Sequence, residues 1–341
     1  FMSYHFENIR LDKGMYGQRG RSFVSILEEL DPSENYRGTP MEGLDAFQRQ
    51  LKRFNIHVKG VGSDTVESFF HSSDSAVLFP EFISRVVRQG LEEESIIPAV
   101  TAAVTSFDGL DYRSIASSPS EDEKTLRRVE EGAEIPQTIL RTQENLVRLH
   151  KRGRMLVASY EAVRFQRLDL FSVTLRQIGA YIGRMQLQDA VQVLRNGDGN
   201  NNPAQVFQIK DLSSSAALSY EALLEFWNRF DPYTMNTLLV SPDMMLAMLK
   251  LPEFQNPLTG LNFQGTGTLA SPLGATLLRS SAVPAGTIIG LDKNYALEQV
   301  CAGDVSVEYD KLIDRQLERA AITSISGFAK LFAGASKVLS A

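Results

Sequence analysis

The stretch closest to a chemical signature is Gly265-Thr-Gly-Thr-Leu-Ala270, which has the spacing of a dinucleotide-binding turn. Only the short apolar Leu261-Asn-Phe263 precedes it, and Pro272 stands where the phosphate-binding helix would begin, so nucleotide binding is not expected. Asp198, Asn200 and Asn202 echo the first ligands of a calcium loop, but Pro203 and Ile209 occupy the positions that need glycine and glutamate, and the stretch reads as a turn. Four histidines, His5, His57, His71 and His150, are scattered along the chain, and a lone histidine is far more often a hydrogen-bonded surface residue than a ligand. Glu121-Asp122-Glu123 and Glu130-Glu131 carry carboxylates in a polar stretch where they read as a solvated loop. The sequence shows no lysine-bearing phosphate loop, no Gly-x-Ser-x-Gly elbow and no His-Glu-x-x-His helix. It therefore predicts no catalytic residue, no cofactor-binding residue and no metal site. The basic run Arg141, Arg148, Lys151, Arg152 and Arg154 is the more suggestive feature, because it could meet an acidic loop tip of a neighbouring copy; the alternative is plain solvent exposure.

Composition narrows the classes further. A chain of 341 residues with 43% apolar content can bury a sizeable core in two or three compact units. No apolar run approaches the ~20 residues needed to span a bilayer, and the first fourteen residues lack the apolar core of a secretory signal, so synthesis in the cytoplasm is expected. The single Cys301 excludes an intrachain disulfide and a cysteine-based metal site. A net charge of -6 argues against wholesale phosphate binding.

The elements that must position any functional group are organised around Asp169 to Arg195. Phe171, Leu175, Ile178, Ile182 and Met185 recur at helical spacing and predict one buried face, with Arg176, Gln177, Arg184, Gln186 and Gln188 opposite. Asn196-Gly-Asp-Gly199 supplies the stop. Upstream, glycines and prolines break residues 1 to 75, which predicts an extended arm with one short helix around Leu44, Phe47, Leu51 and Phe54. The polar flank of that helix, Gln48, Arg49, Gln50, Lys52 and Arg53, fits a grip on a neighbour or scaffold as well as it fits packing on its own core. A helix is predicted from about Pro80 to Gly90, followed by a β segment in Ile96 to Phe107. Residues 109 to 153 are the most polar and predict a long projecting hairpin, since so long a structureless loop inside a compact domain is unusual. After residue 199 the pattern alternates between helix and strand, with an apolar helical face expected at Leu223, Leu224, Trp227 and Phe230.

The run LVASYEAVRFQRLDLFSVTLRQIGAYIGRMQLQDAVQVLRNGDG resembles the strand, spine helix and terminal turn of tailed-phage major capsid proteins with the Hong Kong 97 fold, which encapsulins share. AVLFPEFISRVVRQGLEEESIIPAVT, NTLLVSPDMMLAMLK and LLRSSAVPAGTIIGLDKNYALEQVCAGDVSVEYD resemble further pieces of that fold, in its order, over about residues 76 to 330. The resemblance implies an α+β chain divided into an N-terminal arm (1–75), a peripheral domain (76–108, 154–198 and 301–341), an extended loop (109–153) and an axial domain (199–300). It implies self-assembly as pentamers and hexamers into an icosahedral shell around the double-stranded DNA of a tailed phage or prophage, without sequence-specific DNA binding or membrane contact. Scaffold, portal and decoration proteins are the partners such shells use, and the implied location is the virion, after assembly in the host cytoplasm. The alternatives are an encapsulin-type compartment around protein cargo and, more remotely, a cytoplasmic α/β enzyme. Some members of this fold join a loop lysine to a C-terminal asparagine with a glutamate assisting. Lys124 or Lys151 could supply the lysine and Glu308 or Glu318 the acid, but no asparagine follows Cys301.

Overall fold

The computed structural model describes all residues except 1–8, 18–20, 110, 116–127, 132–141, 216, 256–271, 304 and 313–316. In chain order the longer helices are α1 (Phe23–Leu30), α2 (Ala46–Arg53), α3 (Leu78–Glu93), α4 (Tyr160–Phe165), α5 (Leu168–Asn196), α6 (Tyr220–Asn228) and α7 (Pro242–Leu249). The strands are β1 (Ala103–Ser106), β2 (His150–Ser159), β3 (Gln205–Gln208), β4 (Thr237–Val240), β5 (Thr276–Arg279), β6 (Thr287–Leu291), β7 (Leu297–Cys301), β8 (Ser306–Leu312), β9 (Leu317–Lys330) and β10 (Ser336–Ser340). Two compact units result, one from residues 1–94, 151–182 and 304–324, the other from 95–150, 183–303 and 325–341.

In the first unit α3 and the N-terminal half of α5 meet in one core, through Phe79, Phe82, Ile83, Val87, Leu175, Ile178 and Ile182. Backbone meets backbone where they cross: a Cβ on Gly90 would lie 2.1 Å from the Arg176 carbonyl oxygen, and one on Gly179 would lie 2.0 Å from that of Val87. Gly90 is therefore no helix stop, as the sequence reading had it; α3 runs on to Glu93, and the glycine is there to let α5 come close. Strand β8 pairs antiparallel with β9 from Ser306↔Thr323 to Leu312↔Leu317, and β2 lies on the other side of β9.

The described part of residues 1–75 is folded onto this same core, not extended. Phe23, Leu27, Phe47, Leu51 and Phe69 are buried in it. Arg49 explains how the polar side of α2 comes to be covered: its guanidinium, fully buried, donates to Asp31 Oδ2 (2.8 Å), Ser33 Oγ (2.8 Å), the Leu44 carbonyl (2.6 Å) and Glu28 Oε2 (3.2 Å), and lies 4.6 Å from the Tyr36 ring centroid. A buried guanidinium needs nearly all of its donors satisfied, and α1 and the turn after it provide the acceptors. Sequence pattern counts Arg49 as polar; the acidic residues Glu28 and Asp31, far along the chain, make its burial tolerable.

The second unit is layered helix, sheet, helix. Its main sheet has the order β3-β10-β6-β4-β5, with β10 antiparallel to β6, β4 antiparallel to β6, and β3 and β5 parallel to their neighbours. Strand β4 is buried throughout, and its alternate side chains go to opposite faces: Leu239 to a core with Leu187, Val191 and Leu194 of α5, and Leu238 and Val240 to a core with Leu223 and Phe226 of α6. Ile288, Ile289, Val338 and Leu339 divide in the same way. Gly290 faces α6, where a Cβ would come within 2.8 Å of the Phe230 ring. A second set of strands pairs β1 parallel to β7 and β7 antiparallel to the end of β9, Leu297↔Lys330 to Cys301↔Ser326.

Two expected faces shift. On α5, Met185 is 37% exposed while Gln186 is buried at 4%, because over 29 residues a 3.6-residue period carries the buried stripe to Leu187, Ala190, Val191 and Leu194. On α6 the buried residues are Ala222, Leu223 and Phe226, leaving Leu224 41% and Trp227 47% exposed. The β segment expected in Ile96 to Phe107 is shorter than read: Ile97–Ala99 form a 3-10 turn and only Ala103–Ser106 is strand.

Candidate functional site

The chain pinches together at the two ends of residues 116–141. The Gln143 amide donates to the Ser114 carbonyl and the Val147 amide to the Tyr112 carbonyl, both at 2.8 Å, and Ile115 bridges Thr142 antiparallel. These flanking stretches are too polar to be held by apolar burial alone: Val147 and Leu149, with Val300, Ala329 and the rings of Phe107 and Tyr112, form a small core there. Two carboxylates hold them instead.

The first is Glu298 on β7, 6% exposed. It accepts hydrogen bonds from Thr105 Oγ1 (2.5 Å) on β1, from Tyr112 Oη (2.6 Å) and from Ser114 Oγ. A carboxylate taken out of water requires donors, and three hydroxyls from two chain segments meet that need. Burial, and next its hydrogen bond to Glu298, push the Tyr112 hydroxyl above its ordinary pKa, which favours the donor form.

The second is Asp198, in the turn that ends α5. Its Oδ2 accepts from Gln143 Nε2 (3.0 Å) and the Lys330 amide (2.9 Å), and its Oδ1 from the Asn200 amide (3.2 Å) and Asn200 Nδ2 (3.0 Å). Burial acts to raise its pKa, but the Lys330 amide, Asn200 and Gln143 outweigh that and hold it below the usual carboxylate value. Asn145 completes the seam, donating its amide to Asn200 Oδ1 (3.0 Å) and its Nδ2 to the Gly199 carbonyl (2.8 Å). Gly197 makes the turn possible, at φ +81° with Asn202 Oδ1 only 2.5 Å from where a Cβ would stand. Behind it Lys330, fully buried, donates from Nζ to the Leu194 carbonyl at 3.2 Å, capping the C-terminus of α5; burial lowers its pKa to about 8 against the opposing pull of Asp198.

These groups are spent on one another, and together they anchor the two flanking stretches. The calcium-loop resemblance of Asp198, Asn200 and Asn202 resolves in the same way, since protein donors occupy both Asp198 oxygens and Asn202 Oδ1 accepts from the Asp198 amide at 3.1 Å. Among the described residues no cluster of metal-ligating side chains occurs. His57 lies 3.3 Å from Asp64 and His150 3.3 Å from Asp189, in separate units, and His71 joins neither. Arg148, Lys151 and Arg154 are exposed and Arg152 half-buried; Glu130 and Glu131 are exposed. His5, Glu121, Asp122, Glu123, Lys124, Arg141 and the 265–270 stretch lie outside the described residues. Sequence reasoning missed Glu298, Gln143 and Lys330. The available signal was an acid inside the apolar strand Leu297-Glu-Gln-Val300 and a lysine following Gly-Phe-Ala329.

The family model for phage capsid proteins matches residues 142–323, just over half of the chain. The chain belongs to the phage capsid protein family. No curated sequence matches it. The solved capsid of an empty GTA particle is 14% identical, covers 72% of this chain and 89% of its own, and superposes with a TM-score of 0.53. A virus-like particle from Pyrococcus furiosus is 11% identical, covers 76% and 99%, and gives 0.50. The capsid of the native GTA particle is 12% identical over 75% and 90%, at 0.51. At these identities the likeness concerns the fold, the α+β Hong Kong 97 type with its long helix. As a family member the chain is a major capsid protein, a structural subunit of an icosahedral shell.

Proposed function

We propose that copies of this subunit, as pentamers and hexamers, build the shell that encloses the double-stranded DNA of a tailed phage or prophage, with no turnover and no sequence-specific contact to the DNA. The family match carries the reading, and the polar-clamped base of residues 116–141 supports the way it would work. A segment anchored firmly at both roots, with few apolar residues of its own, is suited to lie across an adjacent subunit, so that many modest interfaces sum to a strong shell. In this reading α5 with the first unit forms the peripheral domain, and the β3-β10-β6-β4-β5 layer serves as the axial domain that meets its copies around the symmetry axes. The exposed Leu224 and Trp227 suit such contacts, since tryptophan is enriched where interfaces bury most. A net charge of -6 suits a container that must not hold its genome too tightly. Assembly takes place in the host cytoplasm, with scaffold, portal and decoration proteins as further partners. Electron microscopy of purified particles with analysis of their contents tests this: icosahedral shells holding nuclease-protected DNA are expected. Shells holding only a protein cargo would replace the reading with a compartment, and a small soluble oligomer would refute it.

A further inference from the structure

A cavity of about 320 Å³ opens in the first unit beside α2, α3 and the start of α5. Phe47, Leu51, Phe82 and Val86 give it apolar walls, and Lys59 and Arg176 bring positive charge. The other charged groups on its lining are already engaged. Arg85 pairs with Asp45 (2.6 Å) and Glu81 (2.8 Å), and Asp169 pairs with Arg167 (3.3 Å). Among the described residues neither Lys59 nor Arg176 has a carboxylate partner, although Arg176 is only half-exposed. An apolar cleft that keeps two uncompensated cations calls for an occupant with an aliphatic side chain next to paired negative charges.

This chain carries such a sequence. Val129-Glu130-Glu131 is exposed along its whole length, Val129 at 39%, and Glu134 follows two residues after Gly132. We infer that the cleft takes Val129-Glu130-Glu131 of a second copy of the chain, the valine on the apolar wall and the two glutamates against Lys59 and Arg176. The inference rests on the functional reading above, in which residues 109–153 overlap a neighbour, and it names the acceptor. Partly exposed ion pairs add modest affinity but penalise wrong registers strongly, so this contact sets the position of the overlap more than its strength.

The test uses the full chain and reads the subunit concentration at which particles form. Lys59→Glu with Arg176→Glu, and separately Glu130→Lys with Glu131→Lys, should each raise it about tenfold or more at low salt, since facing like charges cost more than one tenfold step. The difference should shrink in roughly 1 M salt, where charges are screened within about 3 Å. Combining all four substitutions in one chain should restore assembly. A 1:1 mixture of the two defective proteins should also recover hexamers, in which the two can alternate so that each offers the partner the other lacks. Melting of the unassembled subunits checks folding, and Lys59→Glu alone, at an exposed site, serves if Arg176→Glu unfolds. Assembly unchanged in the cleft variants overturns the inference, as does failure of the four-fold combination. Recovery by the combination with no hexamers from the mixture would place the contact within one copy and equally overturn it. If the unmodified chain forms no particles, the functional reading itself fails, which is a different result.

Discussion

Replacing Gly90 by alanine adds one methyl group where two helix backbones touch. The new Cβ would sit 2.1 Å from the Arg176 carbonyl oxygen, 2.5 Å from its Cα and 2.6 Å from its carbonyl carbon. No flexible side chain can swing aside, because all three atoms are main chain. Bringing the closest contact to an ordinary separation of about 3.4 Å requires α3 and α5 to part by about 1.3 Å, and a gap of that size forfeits much of the dispersion energy across the crossing. Ile83, Val87, Leu175, Ile178 and Ile182 share this core and are nearly inaccessible, so the loss falls on well-packed atoms. Overpacking typically costs 1 to 3 kcal/mol, and an unyielding backbone puts this site at about 3. At about 2 to 4 °C per kcal/mol for a domain of this size, the unassembled subunit should melt roughly 6 to 12 °C lower. Gly62→Ala is the control, since nothing lies within 4 Å of its added Cβ, and its effect should stay within about 0.5 kcal/mol. A Gly90→Ala subunit melting with the parent, measured by circular dichroism under conditions that prevent assembly, would refute the close-crossing argument.

Lys330 is protonated less readily in the folded chain, near 8, than in the unfolded one, near 10.5, so the unfolded state holds more protons between those values. Stability from this group should therefore rise as pH climbs from about 8 to 10.5 and carry its full penalty below 8; Lys330→Met should remove that rise and stabilise the subunit by roughly 1 to 3 kcal/mol at pH 7, as denaturant melts at several pH values would show. The Leu194 carbonyl keeps an acceptor's role in that variant through Ser336 Oγ at 3.3 Å, and a destabilised protein would contradict the account. Excising residues 116–141 and joining Ile115 to Thr142 by a short glycine-serine link should leave the subunit melting unchanged, because the Glu298 and Asp198 clamps remain, but should prevent normal shells; particles of ordinary size and heat resistance would remove the segment from the assembly scheme. Particles boiled in detergent and reductant should run as a single band at monomer mass, since residues 301–341 contain no asparagine to accept a lysine; a ladder of higher bands would disprove non-covalent assembly.

Periodicity and punctuation alone fixed a good deal. The 3.6-residue recurrence across Leu175, Ile178 and Ile182 and the glycine turn at 197–199 located the 29-residue helix to within a residue at each end, because a long helix repeats its signal many times. The alternation of helix and strand predicted after residue 199 is present, in the apolar runs Thr237–Val240 and Thr287–Leu291, which the structure buries on both faces, and in the helix that opens at Pro242. The order of these pieces carried the family. Whatever depended on a partner far along the chain was not legible. Arg49 reads as a surface cation until Asp31 and Glu28 close around it; Gly90 reads as a stop until Arg176 arrives; Trp227 reads as core until Phe226 takes that place. The anchor at Glu298, Asp198 and Lys330 gathers groups from six stretches of chain, and no local pattern records it. Local sequence sets backbone preference and which residues can be apolar, whereas the burial of a polar group is decided by whether the fold brings it donors and acceptors, and that information exists only in three dimensions.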